Sequence, residues 1–405
     1  MQHRIVVLGA GYTGASAAGR LARRLHRDDV TITLVNAEPD FVERVRLHQL
    51  AAGQDLRPRP LRDMLAGTGV VLKQARVTGI DVDRKTVTVV GTASRGGGGT
   101  EEELAYDTLV YALGSGWNDH GVPGVAEHAH EIASRPGALR LRERLARLAA
   151  GESVVVVGGG LTGVEAATEI AEARPDLDVA LATRGTLGDW LSDKGRAHLR
   201  KVFGGLGITV HENASVAAVA PDHLTTADGT TLPAAVTVWT TGFAVHPIAR
   251  GTALEVTDTG QVVVDGTLRS VSHPDVYAIG DTAMVMGPGD KPLRMSCASG
   301  VPTAWQAADA ITARLTGGKL PHVPMRYFNQ CISLGRKEGL IQYVTADDRA
   351  VRAALTGRLA AVYKELVNKG AAWGVANPLL GMPVRRRRVV RDPARPEDPA
   401  LREAA

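Results

Sequence analysis

Two glycine clusters carry the clearest chemistry in this 405-residue sequence, Gly9-x-Gly11-x-x-Gly14 and Gly158-x-Gly160-x-x-Gly163. In such a cluster the first glycine permits a tight turn, the second lets the backbone approach a pyrophosphate, and the third lets a helix pack against a strand. The helix start then offers free N–H groups and the positive end of its dipole to the phosphates. The motif carries this meaning only after a strand and at the opening of a helix. Both copies meet that condition. Ile5-Val6-Val7-Leu8 precedes the first, a helical stretch runs to Leu25, and Val30 to Val35 reads as the next strand. Val154-Val155-Val156-Val157, a helix to Ala173 and Val179-Ala180-Leu181-Ala182 repeat the arrangement. The alternation sets the fold class as α/β, with two Rossmann-like dinucleotide-binding domains.

The strand ends carry the next layer of chemistry. About twenty residues beyond the last glycine, a carboxylate commonly takes the ribose hydroxyls. After the first turn that place holds Asn36, with Glu38 two residues on, and Glu38 is the favoured carboxylate. After the second, Leu181-Ala182-Thr183-Arg184 offers no acid, and an arginine beside a hydroxyl suits a 2′-phosphate, which points to NADPH over NADH. Asp281 closes the short strand Ala278-Ile279-Gly280-Asp281, where a carboxylate beside a glycine can accept hydrogen bonds from a ligand's hydroxyls. Glu165 lies two residues past Gly163, where the helix dipole alone would favour an acid.

Other chemistries find no footing. Cys297 and Cys331 are the two cysteines, too far apart for a C-x-x-C redox pair or a zinc site. His120, His128 and His130 have no cysteine or acid at ligand spacing and read as solvated surface, so no metal is expected. No Ser-His-Asp or paired-carboxylate pattern is present. Lys and Arg number 47 against 43 Asp and Glu, a net charge of +4 that makes no case for nucleic acid. The start lacks a charged segment leading into an apolar one, and no uncharged apolar run reaches about eighteen residues. These features place the chain in the cytoplasm, at most touching a membrane from one side.

Between the repeats, Val70 to Val90 alternates as strands do, with Val77 inside it, and Arg95 to Thr100 reads as a glycine-rich hairpin tip. Tyr106 to Ser115, including Ala112-x-Gly114, and Val236 to Gly242 each close a unit with a buried strand and a glycine turn. A helix is expected from about Thr303 to Leu315. Residues 349 to 369 place Val351, Leu355, Leu359, Val362 and Leu366 at helical spacing, with Arg349, Arg352, Arg358, Lys364 and Lys369 elsewhere, as in an amphipathic basic helix. An uncharged run with Trp373, Leu379, Leu380 and Met382 follows, then Arg385-Arg386-Arg387-Arg388. The rest, to Ala405, reads as disordered.

The Val156 to Glu165 turn, Ala112-x-Gly114, Trp239-Thr240-Thr241-Gly242 and Ala278-Ile279-Gly280-Asp281 together carry a resemblance over roughly residues 1 to 320. The chain resembles the two-dinucleotide-binding-domain flavoproteins, and within them the type II NADH dehydrogenase-like and apoptosis-inducing-factor-like oxidoreductases. The resemblance implies FAD on Gly9, Gly11 and Gly14, NAD(P)H on Gly158, Gly160 and Gly163, and Asp281 with Gly280 on the ribityl chain. Asn36, Glu38, Val77, Ala112 and Gly114 join the cofactor contacts. Phe41 to Gln49 lies where related proteins run a segment along FAD, which brings in Arg44 and His48. Glu165 matches a glutamate near the nicotinamide, beside its reading as a first-turn acid.

Ser299 to Gln306 resembles the segment that admits a quinone to the flavin in type II dehydrogenases. Thr303 and Ala304 would there aim N–H groups at the pyrimidine end of the ring, with Gln306 as a catalytic residue beside Glu165. Gln306 is displaced by one place, and Asp309 and Ala310 stand where a second glutamine belongs. The redox cysteine pair and partner histidine of the disulfide reductases are absent.

The organisation implied is a discontinuous FAD domain of residues 1–115 and 265–320, an NAD(P)H domain of 116–264, a C-terminal module of 321–384 with an amphipathic helix, and a basic, disordered tail of 385–405. The function implied is electron transfer from NAD(P)H through FAD to a quinone or quinone-like acceptor. A soluble reductase for ferredoxin, a tailoring enzyme for a small aromatic substrate, and a flavin-based redox sensor without turnover are the alternatives. The C-terminal region fits either an interfacial membrane anchor or a packing helix of a homodimer.

Overall fold

The short β-branched runs that flank each glycine turn are buried on both faces, the condition under which parallel strands form a central sheet. In the computed structural model, which describes residues 2–92, 99–321, 325–378 and 384–390, they build two such sheets. The first runs Val276–Ala278, Thr108–Tyr111, His3–Leu8, Val30–Asn36 and Val71–Asp81 in parallel, then Thr86–Gly91 and Glu101–Ala105 antiparallel. Ile5 faces both Ile32 and Thr108 across the ladder. The edge strand Val276–Ala278 comes from beyond the whole second unit, so this sheet closes only after that unit is inserted. Helices Tyr12–Arg24 and Cys297–Thr316 pack on one another through alanines, among them Ala15, Ala18, Ala307 and Ala308, all buried.

The second sheet is all parallel, in the order Thr209–His211, Asp178–Ala182, Ser153–Val157, Val236–Trp239 and Ala129–Glu131. Helix Leu161–Ala173 follows its glycine turn, and Val154, Val156, Val164 and Ile170 share one core. A third, antiparallel sheet of Asn329–Leu334, Glu338–Val344 and Ala350–Thr356 packs beneath helix Arg358–Ala376.

Three expectations change here. Residues 350–356 form a strand, and the helix begins at Arg358, after Gly357 turns the chain at φ +82°. Val351 and Leu355 satisfy both periods, since positions four apart share a face in a helix and in a strand, and pairing of Leu355 with Ile341 decides between them. The helix expected from Thr303 begins at Cys297 and carries Pro302 inside it.

The arginine run is also ordered. Arg387 bridges Leu25, donating its N–H to Arg24 O and accepting from His26 N, Arg388 pairs with Asp29 at 3.0 Å, and the Val390 N–H bonds Leu315 O. Arg385 to Val390 thus covers the last carbonyls of two helices, groups that no helix satisfies internally. Residues 95–98 of the expected hairpin tip, Leu379, Leu380, Met382 and the tail from 391 lie outside the described residues.

Candidate functional site

Each glycine of the two turns meets a different constraint. Gly9 and Gly158 sit at φ +93° and +124°, where a side chain is strained. A Cβ on Gly14 would lie 1.8 Å from Gly9 O, and one on Gly163 1.8 Å from Gly158 O. A Cβ on Gly11 or Gly160 would meet nothing within 4 Å, so no protein contact requires a glycine there and the space is left for a ligand. Both following helices begin without a side-chain cap, which leaves their first N–H groups for an anion.

Around the first turn, Asn36 Oδ1 accepts from Ala10 N at 2.9 Å and its amide donates to Glu38 O at 2.8 Å. Asn36 pins the turn to the strand end, and Glu38 is exposed beyond it. Ala112 is buried against Gly9 and Gly14, Gly114 turns at φ +72°, and Val77 packs in the core opposite Val89. Arg44, in the turn Arg44–Arg46, donates through Nη1 to Ser115 O at 2.7 Å and stacks over Phe243. Ser115 Oγ donates to Asp281 Oδ2 at 2.6 Å, and Arg44 Nη1 lies 3.9 Å from the same oxygen. Arg44 Nη2 is buried with no partner among the described residues, a donor of the kind that an anionic ligand satisfies. Open space at Gly11, an uncapped helix and this unpaired donor together suit the pyrophosphate of FAD.

The residues expected at the flavin divide into two places. Thr303 and Ala304 are buried in the second turn of their helix, and Thr303 Oγ1 donates to Gly300 O. Their N–H groups are therefore not at the helix start, a correction that follows from the earlier onset at Cys297. That start packs on the first turn, because a Cβ on Gly300 or Gly280 would strike Thr13. Gln306 donates to Gly266 O at 2.6 Å and is not joined to Glu165, while Asp309 binds Arg20 and Arg24.

Glu165 stands at the centre of a buried cluster instead. Its Oε1 accepts from Ser333 N at 3.0 Å and Ser333 Oγ at 3.1 Å, and lies 3.0 Å from Lys364 Nζ. Lys364 also donates to Cys331 O at 2.9 Å. His48 Nδ1 is 3.9 Å from Glu165 Oε2, and its Nε2 is 3.3 Å from Ser333 Oγ. Burial opposes charge on Glu165, and Lys364, His48 and the Ser333 N–H outweigh it, holding the carboxyl below its usual value. Burial opposes charge on Lys364 too, and Glu165 outweighs it in turn. Burial pushes His48 down to about 4, so its ring is neutral at physiological pH. Burial raises the Cys297 thiol, with smaller opposing effects from Lys364 on one side and Glu165 and Asp281 on the other.

At the end of the second unit's strand, Arg184 is exposed with no hydrogen-bond or ion-pair partner among the described residues. Asp189 Oδ2 returns to within 2.8 Å of where a Cβ on Gly185 would stand. His120 bonds Thr241 O, and among the described residues no group of three metal-binding side chains gathers. Sequence reasoning missed Ser333, Lys364 and Asp189. None of the three had a signal: Lys364 lies on the helix face opposite Leu359, Val362 and Leu366, and it is that face which the helix turns inward.

A sheet with a parallel centre and a second that is parallel throughout, each feeding an uncapped glycine turn, together with the buried charged cluster at Glu165, define a two-dinucleotide-fold oxidoreductase. The chain belongs to the pyridine nucleotide-disulphide oxidoreductase family, whose sequence pattern matches residues 3–310. It is 32% identical over 324 residues to an NADH dehydrogenase-like protein of Mycobacterium tuberculosis, covering 74% of this chain and 77% of that one. A demethylphylloquinone reductase of Synechocystis is 26% identical over 378 residues, covering 89% and 92%. The solved NDH2 of Plasmodium falciparum in complex with NADH shares the fold, with a TM-score of 0.77 at 15% identity over 94% of this chain and 97% of that one.

Proposed function

We propose that this protein oxidises NAD(P)H and passes the electrons through FAD to a quinone. The observation that carries the reading is the pair of uncapped glycine turns, each open at its second glycine, in one chain with the buried Glu165–Lys364 pair. Gly9, Gly11 and Gly14 with Arg44 and Asp281 would hold FAD, and Gly158, Gly160 and Gly163 the nicotinamide nucleotide. Bound FAD supplies the two-electron carrier that separates hydride uptake from quinone reduction.

The protein's own part is position and protons. Arg44 Nη2 offers a fixed donor to the dinucleotide, and the Ser115 hydroxyl orients Asp281. Hydride from NAD(P)H brings two electrons and one proton, and a quinol needs two protons, so one proton comes from solvent. Lys364 Nζ and Glu165 Oε1 hold that proton between them at 3.0 Å, where a quinone oxygen can draw on it. Neutral His48 keeps the far side of Glu165 free of a second positive charge.

The helix Arg358–Ala376 turns Lys364 inward and leaves Leu359, Val362, Leu366 and Trp373 exposed, at 72%, 52%, 62% and 50%. Among the described residues no helix is long and apolar enough to cross a membrane. This exposed face instead suits peripheral contact with a bilayer, the source of an apolar quinone.

Anaerobic stopped-flow mixing with NADH or NADPH, then with menadione, tests the reading. Fast bleaching of a yellow protein and fast return of colour are expected, and a protein without flavin overturns the assignment of the first turn. Flotation with anionic liposomes tests the helix face. Wild-type protein is expected to float and Leu366→Glu to float less, whereas wild-type protein that stays unbound and elutes as a dimer gives the face to a second copy.

A further inference from the structure

Glu169 is a buried carboxyl group that the chemistry above leaves unused. It follows Glu165 by one turn on helix Leu161–Ala173, which sets both side chains on one face. Its side chain is 1% exposed. One oxygen accepts from the Gln54 side-chain amide, and Oε2 is buried with no partner among the described residues. A bare oxygen on a buried carboxylate is costly, and a proton there removes most of that cost. Gln54 is half-buried and follows the helix Leu47–Ala51 that carries His48, and Asp55 beside it is exposed. Glu169 therefore stands between Glu165 in the interior and Gln54 at the surface.

The charged groups around it are Arg336, in the turn after Asn329–Leu334, and Glu172 and Glu165 on its own helix. Burial pushes its carboxyl up to about 7, with Arg336 and Gln54 pulling down and Glu172 and Glu165 adding to the rise. It is thus a group that exchanges its proton near physiological pH.

We propose that Glu169 is the proton reserve of the Glu165 site, a positioning residue that acts through Glu165 and renews the solvent proton each turnover consumes. The inference rests on the NAD(P)H-to-quinone reading. The step balances: an N–H bond of Lys364 breaks as an O–H bond forms on the quinone oxygen, the O–H bond of Glu169 breaks as its proton is relayed by way of the Glu165 carboxylate to re-form the Lys364 N–H, and Glu169 regains a proton from water at Gln54. Electrons take no part in it.

The test is reoxidation of the NADH-reduced protein by menadione between pH 5.5 and 9, with Glu169→Gln beside wild type. Wild-type reoxidation is expected to fall about tenfold per pH unit above about 7, as Glu169 loses its proton. Glu169→Gln is expected to be about tenfold slower at pH 6, to lack that limb, and to be reduced by NADH at the wild-type rate. Gln54→Ala keeps the limb and moves it to higher pH, because Gln54 favours the charged form.

A second readout needs no turnover. Glu169 holds its proton more tightly folded than unfolded, so it costs stability as pH rises from the ordinary value of 4.5 to about 7. The wild-type thermal midpoint is expected to lose ground over that window, and Glu169→Gln to remove that part of the slope. An unchanged limb in Glu169→Gln overturns the inference. Wild-type protein that menadione never reoxidises overturns the quinone reading beneath it.

Discussion

At the first glycine turn, Asn36 reaches back to bond Ala10 N and forward to bond Glu38 O, so the strand end is closed onto the turn by the protein itself. At the second, Gly159 is braced from outside by Trp190, whose ring N–H donates to Gly159 O, and the strand end finishes in an exposed Arg184. The backbones match to the point that both third glycines face a carbonyl oxygen at the same 1.8 Å. What differs is how far each site is finished without its ligand. A turn pinned from both sides suits a resident group, and one with an open, charged rim suits a substrate that comes and goes.

The harshest way to break this comparison is to fill the third glycine. Gly14→Ala and Gly163→Ala each put a methyl group into backbone, and each is expected to cost about 3 kcal/mol in urea unfolding. Gly11→Ala and Gly160→Ala sharpen it, because they meet no protein atom. Both should unfold within about 0.5 kcal/mol of wild type, with the first purified short of flavin and the second yellow but slow to bleach with NADH.

A smaller effect separates the two strand ends. Arg184→Ala is expected to raise the KM for NADPH about tenfold, or 1.4 kcal/mol, and leave that for NADH unchanged. If instead Asp189→Asn raises the KM for NADH and Arg184→Ala does nothing, the second rim reads a ribose hydroxyl. The smallest effect belongs to Asn36→Ala, about 1 kcal/mol of stability by thermal melting, from the loss of its turn bonds.

Both turns and the strands around them were legible in the sequence because their determinants are local: a glycine where φ is positive, a β-branched run beside it. Arg44 was legible only through resemblance, whereas Asp281 was legible also from its place beside Gly280 at a strand end, and the structure sets Arg44 Nη1 3.9 Å from Asp281 Oδ2. Lys364 was read as part of a basic face because periodicity gives a side chain's direction on its own helix and says nothing of a carboxylate 199 positions earlier that would draw it in. The arginine run from Arg385 looked disordered for the same reason, since the carbonyls and aspartates that hold it lie near residues 22 to 29 and at Leu315. Gln306 shows the reverse failure, where a residue of the right type beside the right motif is turned to Gly266.

The order in which the chain is made gives the Lys364 contact another meaning. Both dinucleotide units leave the ribosome before the helix that carries this lysine, so Glu165 lacks its counter-charge until that helix is made. The same helix lends Ala372 and Val375 to the core of the first unit, so the charged pair and that core are completed by one late step of synthesis. A chain arrested before residue 364 would lack both.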